Sequence, residues 1–284
     1  MNVLIKLKAS GLAESTLKRV SYELGVLARS CDLDCPDDVK NFIADLKGKN
    51  SYKDVFVKTY NYYVKLNSLT WERPKFRSER KLPRIPTKES IMSVICASSK
   101  KYSVIFKILM ETGVMPFELS NVSRRDVDLD RGILSVQGFK GHNSRNFKLR
   151  NDTLACLREY LYRVNEDKPF PDSRWMGKIW RRLRQRVAEK LQDASIRSIR
   201  LYDLRHFYAT TLYHKSKDIL LVKQQLGHKK IETTLIYTQL VSFGEEEEFY
   251  SATAKTVSEA AALIEQGFEY VTEFDEIKLF RKRK

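Results

Sequence analysis

Apolar side chains recur mostly at three- and four-residue spacing through residues 12–72, which places them on one face of an α-helix. The pattern predicts three helices, over Leu12, Leu17, Val20, Leu24 and Leu27, over Val39, Phe42, Ile43 and Leu46, and over Val55, Phe56, Tyr60 and Tyr63. The third mixes lysines with four tyrosines, some expected in the core and the others available to hydrogen-bond phosphates. This part of the chain is therefore predicted to be a small helical domain.

Beyond residue 87 the pattern alternates between the helical and the strand period. The predicted elements are, in order, helices over about 88–97 and 102–111, a β-hairpin within 132–149, a helix capped by Asn151 and Asp152 and ending near Val164, a very basic helix over 174–191, three helices over 201–237, a helix ending near Gly267, and two strands over 268–274 and 277–282. The predicted fold class is mainly α with a small antiparallel sheet, an α+β arrangement.

A proline-rich, aperiodic segment interrupts these patterns at residues 73–90, RPKFRSERKLPRIPTKES. It contains three prolines, and six basic residues against one glutamate between Arg73 and Arg84. Such composition is typical of a linker. The sequence thus predicts a helical domain at 1–75, a basic linker at 76–87, a larger domain at 88–240 and a C-terminal tail at 241–284.

The formal net charge is +16 and the isoelectric point is near 9.6, which indicates a polyanionic partner, most simply nucleic acid. The alternative is a lysine-rich surface that serves only stability. A hydrophobic fraction of 42% is enough for a core and argues against a disordered chain. No apolar run approaches the roughly 20 residues of a membrane span, and the N-terminus has no signal-peptide pattern. We therefore expect a cytoplasmic, DNA-associated protein with no membrane partner.

Four cysteines are scattered along the chain, which fits a reducing compartment. Cys31 and Cys35 are four residues apart and can share a helix face. A zinc site requires two further ligands, and no other cysteine or histidine lies close in sequence. The cysteines are therefore expected to be structural, and the chain is expected to need no metal and no cofactor.

The most informative segment runs from residue 201 to 237, LYDLRHFYATTLYHKSKDILLVKQQLGHKKIETTLIY. It contains adjacent Arg205 and His206, a Leu-Gly-His ending at His228, and Tyr237 nine positions later behind two threonines. An arginine, a histidine and a tyrosine are the residue types needed to attack a phosphodiester with a side-chain hydroxyl and no metal, because the cations balance charge on the phosphorus in the transition state.

This segment resembles the active site of the tyrosine recombinases, the family of phage and plasmid integrases. The resemblance implies that Tyr237 is the nucleophile, Arg205 the second catalytic arginine and His228 the second histidine-type position, which hydrogen-bonds the scissile phosphate. Alternative roles stay open: Tyr237 as a packing tyrosine, Arg205 in a salt bridge with Asp203, and His228 as a helix-capping residue. His206 is expected to be a buried residue that supports the site rather than a direct participant.

Two further catalytic positions are less specific. Tyr202 stands where most of the family has the histidine of His-x-x-Arg, and the resulting Tyr-x-x-Arg resembles an archaeal variant. A phenol is a poorer proton shuttle than imidazole, and Tyr202 can also simply pack beneath the site. Lys140, on the predicted hairpin, resembles the family lysine that protonates the leaving 5′-oxygen, although a lysine in a glycine-rich hairpin is also a common surface feature.

The chain departs from the family pattern Thr-Gly-x-Arg-x-x-Glu-Leu at one position. The flanking residues fit that pattern and the Asp-x-Asp after it: Thr112, Gly113, Glu118, Leu119, Asp126 and Asp128. The position of the first catalytic arginine is Met115, and Glu118 is expected to support the site. A thioether carries no charge and donates no hydrogen bond, so we expect this chain to be inactive or severely impaired.

The resemblance implies a two-domain clamp around double-stranded DNA. Its function would be site-specific recombination through a 3′-phosphotyrosine and a Holliday junction, for integration or excision of a mobile element such as an archaeal virus or plasmid. Relatives act as a tetramer on two DNA sites, and the helix around 259–265 is a candidate for docking onto a neighbouring protomer. The expected DNA-binding residues are Lys81, Arg84, Arg174, Arg181 and Arg182.

The main alternative is a catalytically inactive, recombinase-derived protein that only binds DNA, and Met115 is the residue that favours it. A metal-dependent nuclease or transposase would require clustered acidic ligands, and the sequence shows none at convincing spacing. A relaxing topoisomerase of the tyrosine class shares the same chemistry and is separable only by assay.

Overall fold

The computed structural model describes residues 3–77, 82–139, 142–240, 249–274 and 277–283. The chain divides into two compact units, 1–81 and 82–284. The described part of the first unit is helical, with α1 (Val3–Ala9), α2 (Glu14–Ser30), α3 (Pro36–Asp45) and α4 (Asn50–Leu66). The three helices predicted from periodicity are confirmed as α2, α3 and α4. The sequence pattern missed α1, because seven residues are too few to establish a helical period.

The first unit is organised around the apolar face of α4. Phe56 and Tyr60 are fully buried and pack against Leu27 of α2 and Ile43 of α3. Burying side chains of this size contributes about 1.5–3 kcal/mol each. Cys31 and Cys35 follow α2 and precede α3 respectively, so the expectation that they can share a helix face is wrong.

The second unit begins with helices that enclose a small antiparallel sheet. Between residues 88 and 226 its helices and strands are α5 (Lys88–Cys96), α6 (Lys100–Thr112), α7 (Pro116–Ser120), β1 (Val127–Asp128), β2 (Ile133–Val136), β3 (Arg145–Lys148), α8 (Asn151–Tyr162), α9 (Ser173–Lys190), α10 (Ala194–Arg197), α11 (Asp203–Ser216) and α12 (Ile219–Leu226). The strands pair in the order β1-β2-β3. The predicted hairpin is confirmed as β2 and β3, with Val136 opposite Arg145.

Two details of the prediction for this unit are wrong. Asn151 and Asp152 are the first helical residues of α8, whose N-cap is Arg150, so neither acts as the cap. The last of the three helices expected over 201–237 is instead two short 3-10 turns, Ile231–Thr233 and Leu235–Tyr237. Thr233 and Thr234 lie where the two turns meet, and adjacent β-branched residues disfavour a continuous α-helix.

The core of the second unit forms around α6, which is buried along most of its length. Phe106 of α6 meets Trp180 of α9 edge to face, with ring centroids 4.9 Å apart. The indole N–H of Trp180 donates to the Ile199 carbonyl at 3.0 Å. This packing fixes α6 and the turn at its end against α9 and the segment that leads into α11.

The C-terminal residues form a separate small sheet within the second unit. Strands β4 (Phe249–Ala254), β5 (Glu269–Phe274) and β6 (Ile277–Arg283) pair antiparallel in the order β4-β6-β5, with α13 (Val257–Glu265) between β4 and β5. Phe280 is buried beside Ala254 and Ala260. The helix and the strand pair were predicted, whereas β4 was not. The acidic run 245–248 lies outside the described residues.

Across the described parts of the chain, no helix combines the length and the apolar character that crossing a bilayer requires.

Candidate active site

The start of α11, the end of α12 and the final 3-10 turn bring the motif residues together. Tyr202 is the N-cap residue of α11, and Arg205 and His206 lie in its first turn. Gly227 ends α12 in the left-handed conformation, with φ of 71°, which turns the chain so that His228 follows at once. Tyr237 closes the second 3-10 turn and packs against Ala209 of α11.

Arg205 is a buried cation held by backbone carbonyls. Its two terminal nitrogens donate to the carbonyls of Gly113 and Leu226, each at 2.7 Å, and the residue is 2% exposed. No carboxylate among the described residues lies within ion-pair distance, and the buried Nε has no hydrogen-bond partner there. The alternative of a salt bridge with Asp203 is therefore not what the structure shows, because Asp203 pairs with Arg200 at 2.8 Å.

His228 accepts a hydrogen bond from Arg205. The distance from Arg205 Nη2 to His228 Nε2 is 3.1 Å, and a guanidinium can only donate. The His228 proton therefore resides on Nδ1, which donates to the buried Thr234 hydroxyl at 2.9 Å. Burial, together with the neighbouring Arg205 charge, lowers the pKa of His228 to about 4. The ring is thus neutral and oriented by contacts on both nitrogens.

Tyr237 is 2% exposed, and its hydroxyl lies 3.1 Å from His206 Nδ1. The two rings are 5.8 Å apart and tilted by 52°. Burial raises the pKa of Tyr237 above that of a free phenol, with Tyr202 adding to the rise and Arg205 opposing it. Burial likewise lowers the pKa of the half-buried His206, so its imidazole is neutral near pH 7.

Tyr202 is 41% exposed, and its ring meets that of His206 edge to face at 5.0 Å. It therefore lies at the open side of the cluster and does not pack beneath it. Arg200 and Asp203 flank it, and their ion pair is reinforced by the Arg200 backbone N–H, which donates to the Asp203 carboxylate at 2.7 Å.

Met115 is the N-cap residue of α7, and its backbone N–H donates to Glu118 Oε2 at 3.0 Å. Glu118 is buried and accepts two hydrogen bonds from Arg145, at 3.1 and 2.6 Å. Burial alone would raise the Glu118 pKa, but Arg145 and the Met115 N–H outweigh it and hold that pKa below its usual value. The buried Glu118 carboxylate thus anchors an arginine beside the motif residues.

No sequence motif singles out Arg145 or His142, although both lie beside the motif residues. Arg145 also donates to the carbonyls of Gln225 and Asn143, each at 3.0 Å, which ties β3 to the end of α12. The His142 ring packs edge to face on His228 at 5.7 Å. The available signal was the alternation of β3, which places Arg145 on the same inward face as Phe147 and so requires a buried counter-ion.

Two glycines permit the close approach of these segments. Gly113 has φ of 63°, and a Cβ there would overlap the ring of Tyr208. A Cβ on Gly227 would lie 2.7 Å from Arg145 Nη1. Both positions therefore exclude larger residues on steric grounds as well as on backbone conformation.

The predicted basic residues are distributed over several surfaces. Lys140 and Lys81 lie outside the described residues. Arg84 is exposed and lines a cavity of about 310 Å³ that Arg200 also lines. Arg174, Arg181 and Arg182 are exposed on α9, where Arg174 pairs with Asp172 at 3.1 Å and Arg182 lines a second cavity of about 340 Å³.

Taken together, the described motif residues form one cluster: a buried cation, two neutral imidazoles and a buried tyrosine hydroxyl. A buried guanidinium without a carboxylate partner is costly unless an anion completes its contacts, so the cluster is suited to bind a phosphate. No group of three or more His, Cys, Asp or Glu side chains among the described residues is arranged to hold a metal ion.

Comparison with known proteins places this geometry in a family. The Phage integrase family matches residues 87–242. The chain is 27% identical to tyrosine recombinase XerA of Pyrococcus furiosus over 83% of this chain and 87% of that protein.

Two solved structures share the fold. One is the Tn1549 transposon integrase in complex with transposon right-end DNA, with 15% identity, a TM-score of 0.66 and coverage of 94% of this chain and 99% of that chain. The other is a lambda integrase dimer bound to a COC′ core site, with 15% identity, a TM-score of 0.67 and coverage of 86% of this chain and 95% of that chain. The mainly α fold with small antiparallel sheets is thus the fold of these integrases, and the chain belongs to the phage integrase family of tyrosine recombinases.

Proposed function

We propose that this protein is a site-specific recombinase that cuts and rejoins double-stranded DNA through a 3′-phosphotyrosine at Tyr237. The observation that carries the proposal is Arg205, a buried cation with an unpartnered Nε and no carboxylate partner among the described residues. It lies in one cluster with His228 and with the turn that ends at Tyr237. That combination supports binding of a phosphodiester next to a hydroxyl nucleophile.

The residues divide the reaction as follows. Arg205 neutralises the non-bridging oxygens of the scissile phosphate, and His228 keeps the guanidinium oriented. The Tyr237 oxygen attacks phosphorus, and the 5′-oxygen leaves with a proton for which Lys140 is the proposed donor. The energy of the broken bond is retained in the phosphotyrosine, so the 5′-hydroxyl of a partner duplex can reverse the step without metal or nucleotide.

DNA binding is supported by charge and by the relatives. The net charge of +16 favours a polyanion, and Arg181 and Arg182 present guanidinium groups on the exposed side of α9. The Tn1549 and lambda integrases of the same fold were solved with DNA bound. Lys81, Arg84 and Arg174 are proposed as additional phosphate contacts, with the 1–75 domain gripping DNA as well.

Assembly and biological setting are proposed from the family resemblance. A tetramer on two DNA sites is proposed, with α13 as the segment that docks onto a neighbouring protomer. Its outer face supports this, because Val257 and Ile264 are largely exposed apolar side chains, each one turn from the exposed Ala261. The proposed role is integration and excision of a mobile element, such as an archaeal virus or plasmid, inside the host cell.

Met115 makes impairment of this chain part of the proposal. Removing a preorganised transition-state donor typically costs about 10²–10³ in rate, and Arg145 cannot replace it while bonded to Glu118. A recombinase-derived protein that only binds DNA is therefore the second candidate function, favoured by this one residue.

The test uses nicked duplexes carrying a site selected from random DNA by binding to the protein, with the nick stepped along the site and without metal. Four proteins are compared: the chain as it stands, Met115→Arg, and each with Tyr237→Phe added. We expect a covalent adduct with Met115→Arg that the phenylalanine abolishes. Tight, salt-sensitive binding without any adduct would overturn the recombinase proposal in favour of the DNA-binding one.

A further inference from the structure

His206 occupies the position in which a base for Tyr237 must lie. A general base has to be within hydrogen-bond reach of the proton that it removes. The Tyr237 hydroxyl is 3.1 Å from His206 Nδ1, and in the described part of the chain this is its one side-chain hydrogen bond. Because Tyr237 is 2% exposed, bulk water is not in position to take the proton.

The other polar groups of the cluster are committed elsewhere. His228 Nε2 accepts from Arg205 and its Nδ1 donates to Thr234, so this ring has no free lone pair. Glu118 is engaged by Arg145 on both oxygens. Arg205 cannot accept a proton at all.

Tyr202 is the position at which the family pattern calls for histidine, and it is a poor base at neutral pH. It caps α11, and His206 lies one helical turn further along the same helix. The two rings touch edge to face at 5.0 Å. An imidazole is therefore present beside the nucleophile, displaced by one turn from the position that the pattern predicts.

The charged surroundings keep that imidazole available. Burial is the main cause that lowers the His206 pKa, Arg200 and Arg205 lower it further, and Asp203 opposes them. Among the described residues, Tyr202 and Tyr237 are the other titratable groups seen in contact with the ring. The neutral ring with its proton on Nε2 leaves Nδ1 free to accept from Tyr237.

We propose that His206, rather than Tyr202, is the general base of the cleavage step. The inference rests on the proposed function. As the Tyr237 oxygen forms its bond to phosphorus, its O–H bond breaks and the proton passes to His206 Nδ1, giving an imidazolium. The P–O5′ bond breaks and the 5′-oxygen takes its proton from the general acid. In rejoining, the imidazolium returns the proton to the departing Tyr237 oxygen.

The decisive variant is His206→Asn in the Met115→Arg background, because the asparagine amide can keep a hydrogen bond to Tyr237 but cannot accept a proton. General-base catalysis contributes about 10²–10⁴, so cleavage under single-turnover conditions is expected to slow by that factor. Tyr202→Phe removes the competing phenol one turn away and is expected to slow cleavage by less than His206→Asn does. The matched control is His214→Asn, the same change near the end of α11 and outside the cluster, which is expected to cleave at the rate of Met115→Arg. Unfolding curves and DNA affinity of all three variants should match the parent.

A substrate with a different leaving group distinguishes the loss of a general base from the loss of a general acid. In a duplex with a bridging 5′-sulfur at the scissile phosphate, the departing thiolate needs no proton. Lys140→Ala is expected to recover on this substrate, whereas His206→Asn stays slow. Recovery of His206→Asn would overturn the assignment, as would parental rates for this variant on ordinary DNA. If Met115→Arg with His206 intact forms no adduct, the proposed function fails, and the assignment of His206 fails with it.

A measurement that needs no activity covers the case in which His206→Asn does not fold. Nitrogen NMR of the chain as it stands reports which ring nitrogen of His206 carries the proton, with Tyr237→Phe as the reference. A proton on Nε2 and an Nδ1 signal that changes in the phenylalanine variant support the base. A proton on Nδ1 at neutral pH would overturn it, because the imidazole would then be the donor.

Discussion

Arg145 and Glu118 form a buried, two-point ion pair, with Arg145 Nη1 and Nη2 at 3.1 and 2.6 Å from the two carboxylate oxygens. The pair joins β3 to the turn that begins at Met115, and Arg145 extends the link to the end of α12 through the Gln225 carbonyl. One ion pair thus fixes the positions of β3, the turn at Met115 and the segment at His228 relative to one another.

Breaking this pair should destabilise the protein strongly. Arg145→Met leaves the buried Glu118 carboxylate without its arginine partner, and breaking a buried pair in this way typically costs about 3–5 kcal/mol. Chemical denaturation of the variant, compared with Arg163→Met at the exposed Arg163–Glu159 pair, measures the difference. A loss no larger than the roughly 0–1 kcal/mol of a surface pair would contradict the structural role of Arg145.

The same pair predicts an acid-sensitive component of stability. The Glu118 pKa is depressed in the folded protein, so its contribution is fully present above the unfolded-state pKa of about 4.3 and is lost as pH falls through the folded value. Denaturation midpoints from pH 7 to pH 3 should therefore fall more steeply for the parent than for Glu118→Gln. Parallel curves would show that Glu118 is not preferentially ionised in the fold.

Restoring arginine at Met115 should recover cleavage. A single transition-state donor is worth about 10²–10³ in rate, and an arginine clamp can exceed it. Single-turnover adduct formation by Met115→Arg should rise by at least that factor, while Met115→Lys, a cation without the guanidinium fork, should recover less. If the chain with Met115 cleaves as fast as Met115→Arg, another group already supplies the positive charge.

Gly113 should tolerate no side chain. Gly113→Ala forces alanine to φ of 63° and its Cβ into the Tyr208 ring. Gly177 offers the matched control, because it lies within α9 and nothing stands within 4 Å of its added Cβ. Thermal unfolding should show Gly113→Ala destabilised, with weaker DNA cleavage, and Gly177→Ala stabilised by about 0.5–1 kcal/mol. A neutral Gly113→Ala would contradict the packing of this turn.

DNA affinity should depend on salt through the basic face of α9. If Arg181 and Arg182 each neutralise one phosphate, each alanine variant lowers the slope of log K against log salt by about 0.9. Lys255→Ala, an exposed lysine just before α13, is the control and should leave the slope unchanged. Unaltered slopes for both arginine variants would place the DNA on another surface.

Periodicity was sufficient for most helices because their apolar faces repeat over several turns, as in α2, α4 and α6. It was insufficient where structure depends on distant contacts. Strand β4 pairs with β6 across the chain, with Ala254 opposite Lys278, and its sequence alone gives no such partner. The 3-10 turn that presents Tyr237 is set by packing on Ala209, which no local pattern reveals.

The motif residues could be found from sequence, but their contacts could not. Spacing singled out Arg205, His228 and Tyr237, and the fold brings them together. The hydrogen bond between His206 and Tyr237 depends on the path of the chain through Gly227 and the two 3-10 turns. The Glu118–Arg145 pair spans 27 positions and became visible only once β3 and α7 were placed side by side.

Tyrosine-mediated cleavage is tested most directly by identifying the residue that becomes covalently joined to DNA. Met115→Arg is reacted with the nicked duplex in the presence of a chelator, and the trapped adduct is digested and mapped by mass spectrometry. We expect a single modified residue, Tyr237, linked to a 3′-phosphate, with a free 5′-hydroxyl on the released strand. An adduct at any other residue, a 5′-phosphate linkage, or a strict requirement for metal would contradict it.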